Sequence, residues 1–264
     1  MSETVLDSHA KARQLMYVTT MVGMLLLENG AEVYRTEDTM KRICMSQENI
    51  VDVDVLATPG WLFVSYRIDD DPLTKMRRVK STTINLSKIA QLNDLSRRIT
   101  ARETSIEDAQ TEVLQIAREK EKEPWISAVG GMVGAMGFTF YNGAGIVDGL
   151  CAGVAAGVML YALHRLDQYK LSFFINTLIG ALISTFTAFI LFLLGIVTDL
   201  DQAIIGALMI LYPGVGITNS MRDALSGDFL SGLTHGMKAL ATALGIAVGV
   251  GLVLVLQREV LQWM

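Results

Sequence analysis

Charge is what this chain runs short of, and the shortage begins abruptly near its middle. Residues 1–124 carry 17 Lys and Arg with 20 Asp and Glu, whereas residues 125–264 carry only five and seven. An uncompensated charge in a bilayer core costs about 2.5–3.5 kcal/mol on insertion scales, so a half this poor in charge is what lipid selects. Cysteine is equally scarce. Cys44 and Cys151 stand one in each half, which excludes a disulfide framework and a cysteine metal site and leaves two small packing residues. The three histidines, His9, His164 and His235, are scattered, and no Gly-rich phosphate loop or Ser/His/Asp arrangement is present. Asp69-Asp70-Asp71 lacks the alternation and the Gly-centred bend of a calcium loop and reads as a solvated turn. These absences leave no catalytic centre, no cofactor, no metal and no nucleic-acid partner to expect.

The charged half reads as a soluble α+β domain over 1–124. Its apolar run at 15–27 is shorter than the roughly 20 residues a membrane span needs. It has neither a basic segment before it nor a small-residue cleavage pattern after it, so a buried helix over 10–28 is expected and a signal peptide is not. Asn29-Gly30 should close that helix, and an amphipathic helix should follow over 36–45. From Val51 the period falls to two: Val51, Val53, Val55 and Ala57 alternate with Asp52, Asp54 and Leu56, predicting a half-buried strand. A turn at Thr58-Pro59-Gly60 leads to a strand over 61–67, and a turn at 69–72 to a third over 79–83. Helices are expected over 86–99 and, from the capping box of Ser105 and Asp108, to about Lys120.

The charge-poor half reads as a helical bundle of about five transmembrane helices, with apolar windows at 125–141, 146–163, 171–197, 203–217 and 239–256. Arg118, Lys120, Lys122, Arg165, Lys170, Arg222 and Lys238 flank alternate ends. The intervening connections hold Asp199 and Asp201 but no basic residue, which predicts a cytoplasmic N-terminal domain and an outside C-terminus. Arg258 is the one basic residue against the pattern. Gly145, Gly149, Gly153 and Gly157 repeat at intervals of four, and Gly130, Gly134, Gly245 and Gly249 echo them; such stripes let helix backbones approach closely in lipid.

One segment carries most of the functional information. Pro213, with Gly214 and Gly216 beside it, interrupts an apolar span, so a broken helix is expected. Unwound backbone at membrane depth is tolerated beside protein or a water-filled cavity, and transporters use such breaks to present amides to anionic substrates. Asn219, Arg222 and Asp223 follow within three turns. Arg222 has the fork geometry to hold a carboxylate, while Asp223, Asp228 and Asp148 are candidates to carry a coupling proton or to oppose Arg222. Asn176, an amide inside an apolar window, is a further candidate. The bland alternative makes Arg222, Asp223 and Asp228 surface topology and capping residues, and Asn176 a link between helices.

These residues resemble the threonine/serine exporter family. The likeness is carried by Leu27-Glu28-Asn29-Gly30-Ala31-Glu32 with Arg35, by Thr58-Pro59-Gly60, and by Pro213-Gly214-Val215-Gly216-Ile217-Thr218-Asn219 through Arg222-Asp223 to Ser226-Gly227-Asp228. The resemblance implies a cytoplasmic N-terminal domain, five transmembrane helices, and proton-coupled export across the plasma membrane of small carboxylate-bearing metabolites: threonine and serine, or a dicarboxylate such as succinate. Longer members fuse a second membrane region, so this chain is expected to work with a smaller membrane subunit encoded separately; homo-oligomerisation is left open. The family's N-terminal domain has been likened to a hydrolase, which keeps a membrane-tethered enzyme in view; a non-conducting regulatory or scaffold subunit is a third reading. Glu32 and Arg35 are expected to form a structural ion pair.

Overall fold

The computed structural model describes residues 9–68, 71–80, 83–119, 124–169 and 171–263. Asp69 and Asp70 of the expected turn, Ser81 and Thr82 of the expected third strand, and Lys120, Lys122 and Lys170 of the basic flanks lie outside them. The chain divides into two compact units, one of Met1–Lys120 with Thr218–His235, the other of Glu121–Ile217 with Gly236–Met264. Thr218–His235, from the apolar half of the sequence, thus clusters with the N-terminal unit.

In the first unit, α1 (His9–Glu28) places Leu15, Val18, Val22 and Leu26 one per turn in the core, each worth about 1.5–3 kcal/mol when enclosed. It ends as expected at Gly30, whose φ of 89° only glycine adopts freely. The helix α2 (Val33–Met45) follows, then an antiparallel meander of β1 (Ile50–Thr58), β2 (Trp61–Ile68) and β3 (Asp71–Arg78) in the order β1-β2-β3. The helices α3 (Leu86–Thr100) and α4 (Ile106–Arg118) complete the N-terminal part of this unit, and Ser105 Oγ accepts from the Asp108 backbone N–H as the capping box predicts. The Tyr66 hydroxyl donates to the Ala12 carbonyl oxygen at 2.6 Å, fastening β2 to α1. Burial pushes the Cys44 thiol up to about 12, so it stays protonated, a packing residue whose Sγ lies 3.8 Å from Thr19 Oγ1.

Two strand expectations need correction. Val51 is exposed and Ile50 buried, because the β1 register shifts between Val51 and Asp54, with Asp52 at φ 52° forming a bulge and pairing with Arg67. The third strand is Asp71–Arg78, starting inside the expected turn, and Val79, Lys80 and Thr83 of the expected one lie in no strand. Its half-buried positions are Leu73, Lys75 and Arg77, and the last two lay their cations over the Tyr17 ring at 4.9 and 5.3 Å. Lys and Arg stems cover apolar surface without reading as apolar, so the alternation is hidden. Pro72 is tolerated because β3 is a sheet edge.

The second unit contains α5 (Pro124–Tyr141), α6 (Ile146–Leu166), α7 (Phe173–Leu193) and α8 (Leu200–Leu208). Two further helices, α9 (Gly214–Leu225) and α10 (Phe229–Trp263), each belong partly to it. Among the described residues three helical segments are long and apolar enough to cross a membrane: Ile146–Tyr169, Phe173–Leu193 and Phe229–Gln262. A fourth is reached if the pair Leu200–Leu211 and Gly214–Leu225, bent by 53° at Pro213, is one span. The chain is therefore a membrane-embedded helical protein with a small three-stranded sheet. The expected window at 239–256 is the middle of the 35-residue α10, and α5 falls outside this set.

Close backbone approach organises this unit. A Cβ on Gly153 would strike Met136, one on Gly157 would strike Met132, and Gly149 lies under the Phe140 ring, so the stripe on α6 faces α5. Gly245 and Gly249 bring α10 onto the backbone of α7, at Phe174 O and Leu178 O. Gly130 and Gly134, expected to act alike, have no atom within 4 Å of an added Cβ; Gly131 makes the contact instead, under Leu160. Between the helices lies a core largely of alanine, with Ala152, Ala155, Ala181, Ala203 and Ala207 fully enclosed.

A Cβ at Gly249 would stand 2.7 Å from a backbone oxygen that cannot turn aside, whereas at Gly251 it would meet nothing within 4 Å. Gly249→Ala is expected to lose about 1–3 kcal/mol, and Gly251→Ala to be neutral; thermal unfolding in detergent distinguishes them. Asp148, 2 % exposed, accepts from the Thr198 N–H and hydroxyl at 2.7 Å each and from the Asp199 N–H at 3.2 Å, pinning the connection between α7 and α8 to α6. Asp148→Ala strands those donors and should cost about 2–4 kcal/mol, while Asp148→Asn, keeping one acceptor, should cost less than half as much in the same assay.

Candidate functional site

The break begins where α8 tightens into a 3-10 turn at Met209–Leu211 and Pro213 denies the ladder its N–H. Pro213, Gly214 and Gly216 lie in the second unit, and α9 starts at Gly214. The later part of α9, the turn at Ser226-Gly227 and the first turns of α10 form a helical hairpin of the first unit. Gly227, at φ 91°, reverses the chain, and the Asp228 N–H donates to the Asp223 carbonyl oxygen at 2.9 Å. Asp228 Oδ1 then accepts from the Ser231 N–H at 3.1 Å and caps α10, which satisfies one of the donors a helix start leaves open. The hairpin is tight because Gly232 lies against α9: an added Cβ would stand 3.0 Å from both Ser220 O and Ala224 N. The Ser220 hydroxyl donates to the Gly232 carbonyl oxygen at 2.7 Å.

This hairpin brings Asn219, Arg222, Asp223 and Asp228 together, and joins to them residues not picked out as site candidates by spacing alone. Arg222 Nη1 pairs with Glu32 Oε1 at the start of α2. Arg35, one turn on, approaches the other oxygen of Glu32, Nε to Oε2, at 3.5 Å. The expected pair of Glu32 and Arg35 therefore exists, but Glu32 is shared with Arg222. Asp223 is fully enclosed, and neither carboxylate oxygen has a hydrogen-bond donor among the described residues. His235 Nε2 lies 3.8 Å from Asp223 Oδ2. Arg222, Asp228 and Glu37 are all within electrostatic reach of Asp223. Glu37 Oε1 accepts from the Ala57 N–H at 2.6 Å; burial pushes its carboxyl above the ordinary carboxylate range, the Ala57 bond opposing and the Asp228 charge adding. Asn219 is half-buried on α9, one turn before Arg222 and Asp223.

A carboxylate taken from water without a donor is costly unless a proton or a cation joins it. The arrangement therefore offers a half-exposed guanidinium for an anion, and beside it on the same helix an enclosed carboxylate lacking the donor it needs. Among the described residues no three His, Cys, Asp or Glu side chains have the geometry to hold a metal.

Asp148 and Asn176 belong to the second unit. The Asp148 carboxylate is engaged by the donors on Thr198 and Asp199, and Asn176 Oδ1 on α7 is buried without a hydrogen-bond partner among the described residues. Glu37 and His235 were not legible as site residues. Both carry ordinary local sequence, and their place comes from elements far apart along the chain. Glu32 had a signal in the Leu27–Glu32 motif, without its partner being named there.

The family model described as "Putative threonine/serine exporter" matches residues 17–257. A "Probable threonine/serine exporter" of Mycobacterium tuberculosis is 25% identical over 242 residues, covering 90% of this chain and 45% of that protein. A "Threonine/serine exporter" of Corynebacterium glutamicum is 24% identical over 260 residues, covering 94% of this chain and 52% of that protein. The chain thus spans about half the length of these curated relatives. No solved structure matches it at a significant level. With the motif from Pro213 to Asp228 inside the matched region, the chain belongs to the threonine/serine exporter family.

Proposed function

We propose that this chain exports a small carboxylate-bearing metabolite, threonine or serine or a dicarboxylate such as succinate, across the plasma membrane at the expense of the proton gradient, together with a smaller membrane subunit. The observation that carries this reading is the pair of neighbours on α9: Arg222, half-exposed, and Asp223, enclosed with both oxygens lacking a hydrogen-bond donor among the described residues. Arg222 takes the substrate carboxylate through charge-assisted hydrogen bonds. Asp223, with Asp228 beside it, takes a proton or, for an amino acid, the substrate ammonium. One carboxylate cannot hold both at full strength, so protonation on one side of the membrane favours release of substrate, and this competition couples the two flows. Asn219 adds an amide to the same face of α9, and the break at Pro213-Gly214 with Gly216 beyond it remains a candidate element of the substrate path. Asn176 is the candidate polar contact on α7, and Asp148 holds the connection before α8 while remaining a candidate for the proton path.

In this reading the chain crosses the membrane five times. The glycine contacts of α6 on α5 support counting α5, and the alternation of Arg118, Arg165, Arg222 and Lys238 with connections lacking basic residues supports a cytoplasmic N-terminal domain over 1–124 and an outside C-terminus. The names borne by the relatives support export rather than catalysis.

Cells bearing this chain and the smaller subunit are loaded with labelled threonine, serine and succinate, and efflux is followed with the proton gradient intact and collapsed. One substrate should leave in a gradient-dependent way. Arg222→Gln should slow its efflux about 10-fold to 100-fold, the worth of one charge-assisted hydrogen bond. Asp223→Asn, nearly isosteric, should abolish the dependence on the gradient. Full, gradient-dependent efflux from both variants at wild-type membrane levels would remove Arg222 and Asp223 from the mechanism.

A further inference from the structure

Most of the charged pairs in the first unit join residues on its surface, but the pair of Arg222 and Glu32 does not fit that description. Glu32 is largely enclosed, its side chain 15% exposed, while its partner Arg222 is 51% exposed. Glu32 stands at the N-cap of α2, yet its carboxylate makes no capping hydrogen bond, so it is not there to finish the helix. Its Oε2 is buried without a hydrogen-bond partner among the described residues, and Arg35 approaches it at 3.5 Å. On the other side, a guanidinium carries five donors in a planar fork. Among the described residues Arg222 is paired only through Nη1 to this one carboxylate oxygen, and half its surface is open. A single-point ion pair with an exposed cation is weak, because solvent competes for it.

We infer that Glu32 is an internal stand-in for the substrate carboxylate: it neutralises Arg222 in the empty protein and is displaced when a carboxylate-bearing ligand binds. This rests on the reading of Arg222 as the carboxylate anchor. The exchange replaces one carboxylate by another on the same cation, so the guanidinium is never left bare, and a ligand that grips the fork at two points outcompetes the single contact of Glu32. The displaced Glu32 keeps Arg35 as its cation, which lies one turn along the same helix and holds the side chain in place. Competition of this kind sets affinity. A ligand's apparent dissociation constant is its intrinsic one divided by the fraction of protein with Arg222 released. A pair closed about nine-tenths of the time weakens binding about 10-fold. The pair thereby also selects: a neutral analogue lacking a carboxylate has nothing with which to displace Glu32.

The test is equilibrium binding of labelled threonine, serine and succinate to the purified full chain with its smaller subunit in lipid nanodiscs, using wild type, Glu32→Gln, Glu32→Asp and Arg222→Gln. Glu32→Gln should bind the transported ligand about 5-fold to 10-fold more tightly than wild type. Glu32→Asp, which keeps the charge on a stem one methylene shorter, should fall between them, and Arg222→Gln should lose binding. A residue that merely holds the fold can only weaken binding when changed, so tightening is the signature of a competitor. Should Glu32→Gln fail to fold, Glu32→Asp decides alone: tighter than wild type supports the inference, equal or weaker overturns it. If Arg222→Gln loses binding while folded Glu32→Gln binds no more tightly than wild type, the stand-in is overturned and the anchor survives. If Arg222→Gln binds like wild type, the anchor falls and the stand-in with it.

Discussion

Polar groups in an apolar helical unit must find their partners within the protein, and that demand governs this chain wherever charge is scarce. Helices satisfy their own backbones, and the close approaches at Gly149, Gly153, Gly157, Gly245 and Gly249 then supply packing where the hydrophobic effect between helices is weak. Where the chain leaves a helix, a side chain answers: Asp148 gathers the Thr198 and Asp199 donors before α8 begins. At Pro213 the helical ladder is lost, and the helices on either side are bent by 53°.

Against that background, the groups left unanswered stand out. Among the described residues, neither oxygen of the enclosed Asp223 has a hydrogen-bond partner, and Asn176 Oδ1 is buried on α7 without one. Protein interiors seldom keep such groups without a use, since each costs free energy that a simple apolar residue would not. The hairpin of α9 and α10 holds Asp223 by firm local devices: the reversal at Gly227, the Asp228 cap and the Ser220 bond to Gly232. The scaffold around the carboxylate is therefore rigid while the carboxylate itself is unsatisfied. That contrast is what a site needs if protons or ligands are to come and go without unfolding anything.

The course of the chain in the first unit was partly readable. The helix ends at Gly30, the Ser105 cap and the hairpin at Thr58-Pro59-Gly60 are local signals, each set by residues within a few positions of one another. Two strand features were not readable. The bulge at Asp52 shifts which residues face inward, and β3 hides its alternation because Lys75 and Arg77 bury stems rather than whole side chains. Both follow from how a sheet twists and what covers it, which no window of sequence contains.

By itself the sequence determined the division into charged and apolar halves, the helical membrane class, the break at Pro213 and the concentration of Asn219, Arg222, Asp223 and Asp228 beyond it. All of these arise from composition, from short-range periodicity, or from the fixed geometry of proline and glycine. Only the tertiary structure decided that Glu32 answers Arg222 across 190 residues, that His235 and Glu37 come near Asp223, that Gly131 rather than Gly130 or Gly134 makes the close contact on α5, and that the Asp148 carboxylate is already engaged. The physical reason is common to all four. A side chain's charge and shape are properties of its residue, but which partner meets them depends on the path of the whole chain.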